Sequence, residues 1–192
     1  MPLILGRFPL IPGGARIHFY DSFGVPRTSF NEAHVLTEHA HEAIDVQADR
    51  GTPVLSTING TVVRRWVSKK NRRTLTGCGW SDAGGNIVAI LDDRGYVHYF
   101  AHLNMTPLVQ EGDKVSSGRL IGYVGNTGSI AQGSHTHLHY QVWVVGSGRD
   151  AEVTSGLFVR PFGRSVNPYP ELVRLARGMG AQVSRNGGVD IS

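Results

Sequence analysis

Beyond Gly51 the chain is cut into short runs of β-forming residues, and this punctuation most narrows the folds open to it. The runs lie at residues 54–58, 61–67, 86–91, 96–101, 120–124 and 137–145. Asn59-Gly60, Asp93-Arg94-Gly95 and the glycines Gly125 and Gly128 break them. Short apolar-rich runs bounded by turn formers pair as antiparallel strands, so the expected fold is mainly β, an antiparallel sheet of short strands with one or two peripheral helices. The one clear helical stretch is 170–177: Pro170 opens it, Leu172, Val173, Leu175 and Ala176 share a face, and Gly178 stops it. Ser29 followed by Glu32 has the form of a capping box and predicts a second, short helix over 30–38.

The two ends differ from this middle. Pro9, Pro12, Gly13, Gly14 and Gly24 punctuate the start, which reads as an irregular leader over 1–18 with one short strand at 16–20 and little core. The main domain is expected over 19–176. Residues 177–192, with Asn186-Gly187-Gly188, read as a flexible tail or a weak edge strand.

Composition limits the remaining classes. With 192 residues, 40 % hydrophobic and 18 % charged, the chain can build a core, and neither a collagen-like nor a coiled-coil architecture fits. The single cysteine, Cys78, excludes an intrachain disulfide. Leu3-Ile4-Leu5 is interrupted by Gly6, Arg7 and Pro9, so neither a signal-peptide core nor a transmembrane segment is read there. A net charge of +4 and the basic residues Lys69, Lys70, Arg72 and Arg73 are compatible with an anionic surface, but no nucleic-acid motif accompanies them.

Six of the nine histidines fall into two groups, His34/His39/His41 and His135/His137/His139. A spacing of two along a strand puts the second group on one face, with neighbouring imidazoles roughly 6.5–7 Å apart. A divalent metal is the natural partner of such a row, because zinc takes neutral imidazole nitrogen and carboxylate oxygen and keeps an open position in catalytic sites. His41 and Asp45, four residues apart, can add two more donors. His98 and His102 share a face of a third strand, where His98 reads as a sheet histidine.

These residues stand in blocks that resemble the lysostaphin-type, LytM-like zinc endopeptidases of bacterial peptidoglycan. The matching blocks include Asp21-Ser22-Phe23-Gly24-Val25-Pro26-Arg27, His41-Glu42-Ala43-Ile44-Asp45, Tyr99-Phe100-Ala101-His102-Leu103, Gly122-Tyr123-Val124-Gly125-Asn126-Thr127-Gly128 and His137-Leu138-His139-Tyr140. The resemblance implies an open catalytic groove, zinc ligands at His41, Asp45 and His139, and catalytic histidines at His102 and His137. It also implies peptidoglycan peptide stems as substrate, cut outside the cytoplasm in periplasm or cell wall, with a D-alanyl cross-link favoured over a glycine bridge. Ala43 replaces a usual glycine, Tyr140-Gln141 replaces a common Phe-Glu, and residues 29–40 lengthen the approach to the first ligand. None of these departures removes a ligand.

Protonation of the imidazoles on acidification removes ligand and base alike and predicts a pH optimum near or above neutrality. Three other readings compete. A non-catalytic wall-binding activator of the same fold would have lost metal positions, and here all are filled; a latent form stays open, with residues 29–40 long enough to cover the site. A lipoyl or biotinyl hairpin around residues 109–122 has Lys114 out of place. A cysteine hydrolase would rest on Cys78 alone, in a Gly-Cys-Gly setting without a family signature.

Overall fold

The computed structural model describes residues 2–14, 16–30, 36–67, 84–128, 136–145 and 164–192. His34, the basic run from Lys69 to Arg73, Cys78 and His135 lie outside the described residues. Thirteen strands are described: β1 (Ile17–Phe19), β2 (Pro26–Phe30), β3 (Leu36–Ala40), β4 (Ala43–Gln47), β5 (Pro53–Leu55), β6 (Gly60–Trp66), β7 (Asn86–Asp92), β8 (Tyr96–Leu103), β9 (Lys114–Val115), β10 (Leu120–Tyr123), β11 (His137–Val144), β12 (Gln182–Val183) and β13 (Val189–Ile191). One helix, α1 (Tyr169–Arg177), completes the set.

Nine strands form one sheet in the order β12-β13-β1-β4-β11-β8-β7-β6-β9, and their pairings are antiparallel. Two further two-stranded sheets, β10-β5 and β2-β3, stand beside it. The mainly β architecture is therefore as the turn pattern predicts. Along β11 the alternation sorts residues cleanly: Leu138, Tyr140 and Val142 join the main core, while Trp143 packs with Tyr99, Ala101, Ile87, Ala89 and Val97 on the other face.

Three expectations are corrected. The leader is irregular but not peripheral: Leu5, Phe8 and Leu10 are buried in the main core. The helix α1 holds it there, because Glu171 accepts from the Leu5 amide at 2.8 Å and Arg174 donates to the Leu5 carbonyl at 2.7 Å. Of the two readings of the tail, the flexible one is corrected and the edge strand is found, β12 and β13 standing at one edge of the sheet. Val189 and Ile191 are buried and β13 pairs with β1, so both chain ends complete the same sheet. Of the helix expected over 30–38, residues 31–35 lie outside the described residues, while Phe30 and residues 36–38 stand in strands, with Arg27 opposite His39 and Thr28 opposite Glu38 in the β2–β3 pair. A capping pattern offers only local bonds. Here the ladder, closed by the His41 amide bonded to the Val25 carbonyl at 2.9 Å, satisfies more backbone groups.

Beneath the sheet lies a polar cluster that the core must accommodate. His98, fully buried, faces the Tyr140 hydroxyl through Nδ1 at 2.8 Å, and the Tyr140 hydroxyl meets the Thr57 hydroxyl at 2.9 Å. Nε2 of His98 stands 3.6 Å from Oδ2 of Asp92. Asp92 also accepts from the amides of Tyr96 and Arg94, each at 2.9 Å, and from the Arg94 guanidinium. Burial acts to raise the Asp92 pKa, but His98 and these amide donors outweigh it and hold the carboxyl at about 2. Burial pushes the His98 imidazole down, so it is neutral at pH 7.

This sets an acid limit on the fold. The folded pKa of Asp92 lies below its ordinary value of 3.8, so its stabilisation is complete above about pH 4 and disappears as pH falls through 2. Replacing Asp92 by Asn is expected to cost about 2 kcal/mol at pH 7 in urea unfolding and to flatten the stability loss between about pH 4 and pH 2. Acid limbs of equal steepness in the two proteins would remove Asp92 from this role.

Candidate metal centre

The register between β4 and β11 builds the site. His139 lies directly opposite Asp45, and His137 opposite Gln47, so two imidazoles and a carboxylate meet on the face opposite Leu138 and Tyr140. On its other side His139 pairs with Ala101 of β8, whose end carries His102. His41 enters from the short turn before β4. Its backbone is fixed from both sides, by its own amide to Val25 and by the Gly24 amide, which donates to the His41 carbonyl at 2.7 Å.

Three donor atoms converge. Oδ1 of Asp45 lies 3.3 Å from Nε2 of His41 and 3.2 Å from Nδ1 of His139, and those two nitrogens are 3.4 Å apart. Nδ1 of His41 sits 3.0 Å from the Ser22 carbonyl, which can only accept, so this nitrogen carries the proton. In the neutral imidazole Nε2 then turns a lone pair toward the Asp45 oxygen. Two acceptors facing each other across 3.3 Å call for a cation between them. For donors about 2.0–2.1 Å from a tetrahedral zinc, neighbouring donors stand roughly 3.3–3.4 Å apart, so the spacing and the chemistry of this set both fit that ion.

Asp45 stays ionised. Burial works to raise its pKa, yet without an ion the facing imidazoles of His139 and His41, when protonated toward it, outweigh burial and place the carboxyl well below the usual carboxylate range. Ser22, buried, supports it from behind: its hydroxyl accepts from the Asp45 amide at 3.3 Å.

Beside this triangle stand His102 and His137, their ring centroids 4.8 Å apart, with His102 also 5.7 Å from His139. Nε2 of His137 is 3.8 Å from Oδ1 of Asp45. Nδ1 of His102 donates to the Thr127 carbonyl at 2.8 Å, which leaves Nε2 unprotonated. Burial first, then the neighbouring His139 and His137, push the His102 imidazole down to about 3, so it is neutral across the physiological range. All five site residues named from the sequence therefore come together, and His98, read as a sheet histidine, lies on the opposite face.

His102 has a second feature. Its φ is +62°, the one positive value outside glycine among the described residues. A left-handed backbone costs an L side chain about 1–2 kcal/mol, and here it turns the imidazole out of the strand's regular alternation. The loop carrying Thr127 is pressed against this turn: a Cβ at Gly125 would lie 2.3 Å from the Asn104 Cα, so only glycine permits the approach. Thr127 is tied down further, its hydroxyl donating to the Leu103 carbonyl at 2.8 Å and accepting from the Asn86 amide at 2.9 Å. Ser22 and Thr127 are positioning residues that motif reading left without a role. Their presence inside the matched blocks was the available signal.

A sheet face carrying a His/Asp donor triangle with two further histidines is a candidate metal centre of the kind metal-dependent hydrolases use. The chain belongs to peptidase family M23, whose profile matches residues 39–151. It is 34 % identical over 108 residues to the L-Ala–D-Glu endopeptidase of Bacillus subtilis, covering 54 % of this chain and 29 % of that protein. It is 34 % identical over 106 residues to the peptidoglycan DD-endopeptidase ShyA of Vibrio cholerae, covering 55 % of this chain and 21 % of that protein. The matched stretch thus spans less than a third of either relative. Among solved structures, a proposed glycyl-glycine endopeptidase LytM of Ruminococcus gnavus superposes with a TM-score of 0.62 at 25 % identity, covering 91 % of this chain and 61 % of the other. LytU superposes with a TM-score of 0.54 at 27 % identity, covering 81 % and 84 %.

The strain at His102 is measurable without any metal. In chelator-treated protein, His102→Gly is expected to be about 1 kcal/mol more stable than His102→Ala in urea unfolding, because only glycine adopts this φ without penalty. Equal stability of the two variants would mean that the turn relaxes and stores no strain.

Proposed function

We propose that this chain is a zinc-dependent endopeptidase that hydrolyses peptide bonds in bacterial peptidoglycan, acting in periplasm or cell wall on the cross-linking peptide stems. The catalytic unit is assigned to residues 19–176, on a sheet that both chain ends complete. The observation that carries this reading is the triangle of His41 Nε2, Asp45 Oδ1 and His139 Nδ1, each pair separated by 3.2–3.4 Å. Family membership and relatives named as peptidoglycan endopeptidases support it.

In this reading His41, Asp45 and His139 hold the ion, which supplies a Lewis acid for the scissile carbonyl and for water. His102 presents its bare Nε2 to the attacking water. Its low basicity makes it an orienting acceptor rather than a lasting proton store. His137, against Asp45 and His102, is the group assigned to the developing oxyanion and to protonation of the departing amine. Water adds to the carbonyl carbon, the C–N bond breaks, and the proton lost by water ends on the amine.

The bond we favour is a D-alanyl cross-link, in line with the named activity of ShyA. Purified peptidoglycan treated with the 192-residue protein is expected to release cross-link peptides, identified by mass spectrometry, only after zinc loading. His102→Ala is expected to retain zinc while turnover falls by about 10²-fold or more, whereas His41→Ala, Asp45→Ala and His139→Ala lower zinc content first. Release of peptides opened at L-Ala–D-Glu or at glycine bridges would reassign the bond. Full activity in the chelated protein would refute the metal mechanism.

A further inference from the structure

Asp45 has two carboxylate oxygens, and the structure uses them differently. Oδ1 faces the imidazoles of His41 and His139 and, at 3.8 Å, that of His137. Oδ2 accepts a hydrogen bond from Nη2 of Arg27 at 2.9 Å. Among the described residues Asp45 is the one carboxylate paired with Arg27, although the Arg27 side chain is 40 % exposed and reaches solvent. Its Nε is buried without a hydrogen-bond partner. The guanidinium therefore gives up hydration along its stem and is held at its tip, an arrangement that costs free energy unless the tip contact matters.

Arg27 comes from outside the main sheet, on β2. The hairpin that carries it is anchored two residues away, where the Val25 carbonyl accepts from the His41 amide at 2.9 Å. The same short stretch supplies Ser22, whose carbonyl orients His41 and whose hydroxyl accepts from the Asp45 amide. One segment thus sets the tautomer of one donor and the orientation of another.

We propose that Arg27 is a positioning residue that reserves Oδ2 and presents Asp45 to the metal through Oδ1 alone. This proposal rests on the metal reading of His41, Asp45 and His139. A carboxylate free at both oxygens can rotate or bind two-toothed, raising the coordination number and consuming the position a substrate needs. Arg27 blocks that by occupying the second oxygen with a rigid, permanently charged donor. Groups that orient metal ligands in this way typically support affinity by about 10–100-fold. The sign of the effect separates this role from simple charge: a guanidinium acting only as a nearby positive charge would repel the ion, and its removal would tighten binding.

The test uses the 192-residue protein, stripped with chelator, as wild type, Arg27→Ala and Arg27→Lys. Zinc affinity is read by competition with a chromophoric chelator, and geometry by the visible absorption of the cobalt(II)-substituted proteins. Thermal unfolding of the metal-free forms checks the fold. The expected result is a loss of zinc affinity of about 10-fold or more in Arg27→Ala, with part recovered in Arg27→Lys, which keeps the charge as a single-point donor. The cobalt band weakens in Arg27→Ala as coordination number rises, while metal-free unfolding temperatures stay close. Zinc binding in Arg27→Ala as tight as wild type or tighter, with an unchanged cobalt band, overturns the proposal and leaves the metal reading intact. Wild-type protein that takes up no zinc overturns both. If Arg27→Ala does not fold, the Arg27→Lys cobalt spectrum and affinity carry the same decision.

Discussion

A carboxylate removed from water has to be compensated, and the surroundings of Asp45 are organised by that requirement. Two imidazoles touch one oxygen, a guanidinium touches the other, and a serine hydroxyl takes the backbone amide behind it. These groups come from three stretches of chain: β11, the turn before β4, and the segment that carries Ser22 and leads into Arg27 on β2. Bringing three separate segments to one charge is what requires the antiparallel register of β4 against β11 and the short crossing from β3 into β4. The chemistry of the site and the local topology are thus two descriptions of one constraint.

Much of this was legible in the sequence, and for a physical reason. Strand alternation has a strict period of two, so His137 and His139 had to share a face, and the turn formers at Asn59-Gly60 and Gly95 had to separate strands. The five site residues are carried by short local motifs. Their convergence needed only that the motifs sit on neighbouring strands, as β4, β11 and β8 do. The helix α1 was equally readable from Pro170, its apolar face and Gly178.

The rest was not legible because it depends on long-range choices. The capping pattern at Ser29 lost to a hairpin whose partner strand begins at Leu36, a competition that local propensity does not weigh. The apolar residues Leu5, Phe8 and Leu10 looked isolated among prolines and glycines, and only the contacts of Glu171 and Arg174 with the Leu5 backbone, some 166 and 169 residues away, show why they are core. The left-handed turn at His102 has no compositional mark, since the sequence there reads as uninterrupted strand. Arg27 stood within a recognised block, yet nothing about the letter R tells which carboxylate oxygen it will take.

The opposite face of the same strands explains why the register holds. Tyr140 and His98 form a buried polar chain with Thr57 and Asp92 directly under the strands that carry His139 and His102. A slip of β11 by one residue would put Leu138 and Tyr140 on the metal-site face and His139 into the apolar core, so both faces would be wrong at once. An all-hydrophobic underside resists such a slip only through packing volume. A directional hydrogen-bonded chain resists it more sharply, because a displaced Tyr140 leaves buried His98 Nδ1 and the Thr57 hydroxyl with only their 3.4 Å contact to each other, at about 1–3 kcal/mol for a lost partner. On this view the polar cluster beneath the sheet fixes strand alignment to within one residue, and that alignment sets Asp45 opposite His139.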